Sequence, residues 1–207
     1  ILTYKDNEGC PKRAKDFILK AKEKAKTSTF WDNWYKVYGL GLIGSLEGVV
    51  FSNWSYGTFD ESLPSVFGQD YGFSIDPTTL IEVAIDKKLK KIYVKEHVYK
   101  PKLTTSEISH INKTICKNRL IIADSAEPRL INEISLSGCN IQPTTKGPGS
   151  ISAGIALMLD YEIIVDDSSL NIGKELNTFI YADKGSNLYV DNWNHAIDAI
   201  RYNVMYH

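Results

Sequence analysis

At 207 residues the chain is long enough for one domain of generous size with a proper core. Hydrophobic residues at 43% and charged residues at 24% give the balance of an ordinary soluble globular protein. A net charge of -1 excludes a global basic field, so a polyanionic partner has to be met by a local patch.

The lysine-rich segment from Lys12 to Lys26 is one candidate, but a solvated helix face is the commoner explanation. Cys10, Cys116 and Cys139 form no CxxC pair and have no histidine at zinc-finger spacing, so they read as reduced thiols of an intracellular protein. No apolar run approaches the ~18 residues of a membrane span, and no secretory signal pattern opens the chain. It begins with Ile in mid-pattern, which suggests a piece of something longer.

Residues 1–10 are polar and turn-like. Pro11 suits a helix start, and a helix with a thin apolar stripe (Phe17, Ile18, Ala21, Ala25) is predicted over Lys12 to Thr27. A second short helix is predicted through Trp31, Trp34 and Tyr35, followed by a loop with Gly39, Gly41 and Gly44. The stretch Glu47 to Trp54, EGVVFSNW, reads as a strand. This front section looks like an arm or linker attached to a main domain.

Three strand-like runs then follow closely: Val66 to Phe73, Thr78 to Ile85 and Lys91 to Tyr99. Asp76-Pro77 and Asp86-Lys87-Lys88 are turn-forming links, so the three predict an antiparallel meander. Thr104-Thr105-Ser106-Glu107 is a capping box opening a helix to about Lys117. Arg119 to Asp124 is a short apolar run after a helix, the mark of a buried parallel strand. Helices are predicted at Pro128–Ser137, Ser150–Leu159, Ser169–Phe179 and Asn192–Tyr206, with strands at Asn140–Pro143 and Glu162–Val165. A meander followed by alternating helix and strand predicts a mixed α/β sheet with helices on both faces.

Asp70 lies between Gly68 and Gly72 in the first run. Strands keep glycine where a backbone or a ligand comes close, and a mid-strand Asp needs a reason. It is either a solvent-facing Asp beside a bulge or a metal ligand on a rigid sheet. Asp124 ends a buried strand, where ligands bind in open α/β sheets, but an Asp there also serves as a helix N-cap. Glu127 follows three residues later. In the last helix Asp191, His195, Asp198 and Tyr202 recur at spacings of four, three and four and share one face. The plainer explanation is a local His-Asp pair, yet burying two polar groups costs a few kcal/mol unless they are compensated. Carboxylates from two strands and one helix suit a hard divalent cation such as Mg2+ or Mn2+. GLGLIGSLEG, Gly39 to Gly48, has no Lys in the P-loop position, which argues against nucleotide hydrolysis within this segment.

Together the motifs FGQDYG, IIADSAEP, TTKGPGSI and NHAIDAIRY, in this order, resemble the C-terminal nuclease domain of a tailed-phage terminase large subunit. LTYKDN and YGLGLIGSLEGVVFSNW extend the resemblance over nearly the whole chain. It implies an RNase H-like fold, with residues 1–45 as an arm from a missing N-terminal ATPase domain and 46–207 as the nuclease. It implies that Asp70, Asp124 and Asp198, with His195, hold two Mg2+ or Mn2+ ions and carry the catalysis; His195 is open between ligand, base and helix brace. The implied reaction is endonucleolytic cutting of concatemeric double-stranded DNA during packaging, in the host cytoplasm. The implied partners are DNA, the ATPase domain, a small terminase subunit and the portal, with no membrane. Lys146, in a glycine-flanked turn, and Lys174 are the candidate DNA contacts; each is equally an ordinary solvated lysine. Another RNase H-like enzyme (a resolvase or transposase) and an inactive DNA-clamping module are the alternatives.

Overall fold

In a computed structural model, the described residues are 9, 11–26, 31–32, 35–40, 48–182, 189–190 and 194–207. The chain forms two compact units, Ile1–Val50 with Ile180–Val190, and Phe51–Phe179 with Asp191–His207.

In the first unit, helix α1 spans Lys12–Lys24 and follows Pro11 as expected, with Ile18 and Ala21 buried. Of the short helix predicted through Trp31, Trp34 and Tyr35, residues 31–32 are helical, Trp34 lies outside the described residues, and Tyr35 opens a π-helical turn, Tyr35–Gly39. Val49 bridges Ile180, and Tyr181 bridges Tyr189.

The second unit is built on a mixed sheet of seven strands among the described residues, in the order β1-β7-β4-β3-β2-β5-β6. The strands are β1 (Trp54–Gly57), β2 (Ser65–Asp70), β3 (Thr78–Asp86), β4 (Lys91–Lys100), β5 (Ile121–Ala123), β6 (Ile141–Pro143) and β7 (Glu162–Asp166). β2, β3 and β4 form the antiparallel meander, β5 runs parallel to β2, and β6 parallel to β5. β7 returns to the far side of the meander and pairs parallel with both β4 and β1.

The helices are α2 (Thr105–Cys116), α3 (Pro128–Leu136), α4 (Ser150–Leu159), α5 (Leu170–Thr178) and α6 (His195–Tyr206). The capping box opens α2: the Glu107 N–H donates to the Thr104 hydroxyl at 3.3 Å, and the Thr104 N–H donates to the Glu107 carboxylate at 2.8 Å. Gly138, past the end of α3, takes φ 100°, a left-handed value that favours glycine. One face of the sheet packs Phe67, Leu80 and Ile121 against Ile108, Cys116 and Ile134 of α2 and α3. The other face is covered by α6, which presses Ala196, Ile197, Ala199 and Ile200 onto β2 and β3. Each fully buried Ile, Leu or Phe among these contributes roughly 1.5–3 kcal/mol. Cys116 and Cys139 are buried free thiols; Cys10 lies outside the described residues.

Two strand boundaries differ from expectation. β2 ends at Asp70 rather than Phe73, because the chain turns sharply at Gly72: a Cβ there would lie 2.3 Å from the Asp76 carbonyl oxygen. The Thr78 hydroxyl closes this turn by donating to the Gly72 carbonyl at 2.7 Å. The run predicted from Glu47 enters the sheet only at Trp54. Val50 and Phe51 are buried with no ladder partner among the described residues, and Phe51 stacks on Phe179 at 5.9 Å. The apolar run here serves side-chain packing rather than strand pairing.

Candidate metal centre

Asp70 and Asp124 arrive side by side because β2 and β5 are parallel and in register. Gln69 pairs with Ala123, and the Asp124 N–H donates to the Gln69 carbonyl at 3.0 Å. β2 has an antiparallel neighbour on one side and a parallel one on the other, so both acids sit where the strand order switches. Asp70 is 7% exposed, which overturns the solvent-facing alternative for it.

α6 supplies the other groups, and Gly68 lets it come close. A Cβ on Gly68 would stand 1.9 Å from the Ala199 carbonyl oxygen, so only glycine admits the helix at this depth. His195 and Tyr202 then reach the same carboxylate. His195 Nδ1 lies 3.0 Å from Asp70 Oδ2, and the Tyr202 hydroxyl donates to Asp70 Oδ1 at 3.2 Å. His195 Nε2 lies 3.5 Å from Asp76. The hydrogen bond to Asp70 raises the His195 pKa; burial opposes the rise, and the charges of Asp70, Glu175 and Asp76 add to it. Asp191, which the simplest local pairing would have placed on His195, lies outside the described residues.

Tyr202, 1% exposed, is the hub of the cluster. Burial, then the charges of Asp70, Asp198 and Asp124, push its hydroxyl well above the usual tyrosine range, so it remains a donor. Asp198 is raised by burial first and by Asp70, with Arg201 opposing. The three predicted acids are thus brought within electrostatic reach of one hydroxyl.

Side-chain cations answer them. Lys146 Nζ donates to Asp124 Oδ1 and lies 5.3 Å from the centre of the Tyr202 ring. The Thr144 N–H on the Ala123 carbonyl, at 2.8 Å, carries the Lys146 turn past the end of β5. Arg201 donates to Asp198 Oδ1 from Nε at 3.1 Å and from Nη2 at 3.0 Å. Among the described residues no three His, Cys, Asp or Glu side chains close into a metal-holding group; in this arrangement the carboxylates lean on Lys146, Arg201 and His195.

The capping alternative for Asp124 does not hold. Its carboxylate accepts the Ala126 N–H at 2.9 Å in a local turn, while Glu127 takes the N-cap position of α3 without a side-chain cap bond. Lys174 is exposed on α5, beside buried Glu175.

The sequence profile described as "Terminase RNAseH like domain" matches residues 70–205, a span that opens on Asp70 and takes in Asp124, His195 and Asp198. The chain belongs to the terminase RNase H-like family. It is 32% identical to the terminase large subunit of Bacillus phage SPP1 over 144 residues, covering 65% of this chain and 34% of that protein. It is 30% identical to the PBSX phage terminase large subunit of Bacillus subtilis (strain 168) over 141 residues, covering 65% and 33%. The chain therefore spans about a third of the length of these curated relatives. In structure it is similar to the g2p large terminase nuclease domain of bacteriophage SPP1, solved with bound Mn. That match has TM-score 0.64 and 28% identity, and covers 73% of this chain and 95% of that one. The sheet order and the flanking helices are those of an RNase H-like terminase nuclease fold.

Sequence reasoning placed Tyr202 on the acid-bearing face but gave it no role, although its spacing of four from Asp198 was the available signal. It weighed Lys146 as a phosphate contact or an ordinary solvated lysine, not as the partner of Asp124, and it missed Arg201, Asp76 and Glu175. Arg201 stands three residues past Asp198, a helical spacing that was an available signal, whereas nothing local marks Asp76 or Glu175, whose partners are far away in sequence.

Proposed function

We propose that this terminase-family domain is a divalent-metal-dependent endonuclease that cuts concatemeric double-stranded DNA during viral genome packaging. The observation that carries this reading is the placement of Asp70 and Asp124 on adjacent parallel strands at the strand-order switch, with His195 and Tyr202 of α6 on the Asp70 carboxylate. The donor set fits hard divalent ions: three carboxylates and one imidazole, with Lys146 on Asp124 and Arg201 on Asp198 standing where a dication would balance the charge. Asp70, Asp124, Asp198 and His195 would hold two Mg2+ or Mn2+ ions. Such a pair supplies an activated water and stabilises the leaving oxygen of a phosphodiester. The Mn-bound SPP1 nuclease supports the choice of metal.

In this reading Tyr202 steadies Asp70, and Lys146, freed from Asp124, reaches a DNA phosphate beside the cut. Lys174 provides a second contact. Residues 1–45 are the arm from an ATPase domain, 46–207 the nuclease. A small terminase subunit and the portal are the packaging partners of the full-length protein, in the host cytoplasm. No helix among the described residues is long and apolar enough to cross a membrane.

The test is cleavage of supercoiled plasmid by the purified chain with Mn2+ or Mg2+, and with EDTA as control. Cutting should need metal and show little sequence preference. Asp70→Asn should abolish it while the variant still unfolds in a single cooperative transition. Equal cutting in EDTA, or near-normal cutting by Asp70→Asn, would overturn the proposal.

A further inference from the structure

Helix α6 begins without a cap of its own. Asn194, at the N-cap position, makes no side-chain cap bond. The first N–H groups of a helix have no partner within it and must find acceptors elsewhere. They find Glu175, on α5, which is 2% exposed. Its Oε2 accepts the backbone N–H of Ala196 at 2.8 Å and of Ile197 at 3.0 Å, and its Oε1 accepts the Tyr99 hydroxyl of β4 at 2.8 Å. A carboxylate at this end of a helix also meets the positive pole of the helix dipole. From the sheet, the Thr79 hydroxyl reaches the His195 carbonyl at 3.4 Å and the Asp70 N–H at 3.3 Å. The opening turn of α6 is therefore clamped between α5 and β3, and that turn carries both His195 and Asp198.

Asp70 and Asp124 need no such clamp, since their strands are held by the sheet. We propose that Glu175 is a positioning residue: it fixes the helical half of the metal centre and so sets affinity for the second of the two divalent ions. The inference rests on the metal reading above. A tertiary cap, unlike a local one, ties the register of α6 to the packing of α5, so losing it frees the helical ligands and leaves the sheet ligands in place.

The experiment is calorimetric titration of Mn2+ into the whole 207-residue chain, with a melting curve for each variant. The set is wild type, Glu175→Ala, Glu175→Gln and Leu176→Ala. Glu175→Gln keeps one acceptor for the α6 amides. Leu176→Ala removes buried packing from the same helix without touching those amides. Glu175→Ala should weaken the second Mn2+ about tenfold or more and leave the first nearly unchanged. Glu175→Gln should restore most of that affinity, and Leu176→Ala should melt earlier yet bind both ions as wild type does.

Equal Mn2+ affinities in Glu175→Ala and wild type overturn the inference, and so does a matching loss in Leu176→Ala. If Glu175→Ala does not fold, Glu175→Asp, which withdraws the carboxylate by one methylene, takes its place under the same criteria. A wild type that binds no Mn2+ overturns the metal reading itself, an outcome distinct from wild-type binding with an indifferent Glu175.

Discussion

Asp70 draws side-chain contacts from two residues of one helix, His195 on one oxygen and Tyr202 on the other. The pairing with His195 makes the imidazole easier to protonate, and the largest cause is the Asp70 hydrogen bond. In metal-free protein the His195 ring signals should therefore titrate by NMR with a midpoint above the ordinary 6.5. Asp70→Asn should bring the midpoint down. The sign for stability follows: a histidine raised in the folded state contributes fully below its unfolded pKa, and the contribution is lost as pH rises through the folded one. Without metal, the pair should stabilise the protein more at pH 6 than at pH 8, and Asp70→Asn should flatten that difference. An unshifted midpoint in wild type would remove His195 from the Asp70 carboxylate.

The contact between α6 and β2 decides whether these residues meet. Ala199 and Gly68 let a helix backbone rest on a strand backbone, and the obstacle to any larger residue is a carbonyl oxygen, which has no flexible end to swing away. Gly68→Ala should thus destabilise by about 3 kcal/mol, the upper part of the usual overpacking range. It should also lift the α6 groups off Asp70. Gly147→Ala is the matched control, because a Cβ there meets nothing within 4 Å. Urea unfolding of the two variants checks the difference; similar midpoints would refute close helix–strand packing at Gly68.

Across the molecule the sheet separates two polar clusters. The candidate metal centre lies under α6, and Glu82 is buried on the face that carries α2. Glu82 accepts from the Ser65 hydroxyl at 2.6 Å, faces His97 Nε2 at 2.8 Å and pairs with Arg119. Burial alone raises its carboxyl, but the His97 and Ser65 hydrogen bonds and the Arg119 guanidinium outweigh burial and bring it down to about 2. A lowered acid contributes its stability above the unfolded pKa and loses it as pH falls through the folded one. The network should contribute on the order of 3 kcal/mol above pH 4.5, lost between there and about pH 2. Wild type should thus lose more stability than Glu82→Gln on acidification through that window. Parallel curves from chemical denaturation at stepped pH would refute it. Since Glu82 faces away from Asp70, Glu82→Gln should leave Mn2+ binding unchanged.

The meander, the capping box at Thr104, the buried strand ending at Asp124 and the face shared by His195 and Asp198 were all legible in the sequence. Each is a local pattern: alternation, a cap at fixed spacing, a short apolar run after a helix, a helical repeat. The glycine before Asp70 announced a close approach, though not what approaches. Which strands become neighbours is a different matter. β5 lies beside β2 while β7 crosses to the opposite side of the meander, and no local pattern encodes that choice. Lys146 on Asp124, Glu175 on the α6 amides and Arg119 on Glu82 join residues 22, 21 to 22 and 37 positions apart. Local propensity fixed the elements and their polar faces; burial of both sheet faces, and the need of each buried charge for a partner, decided how they meet.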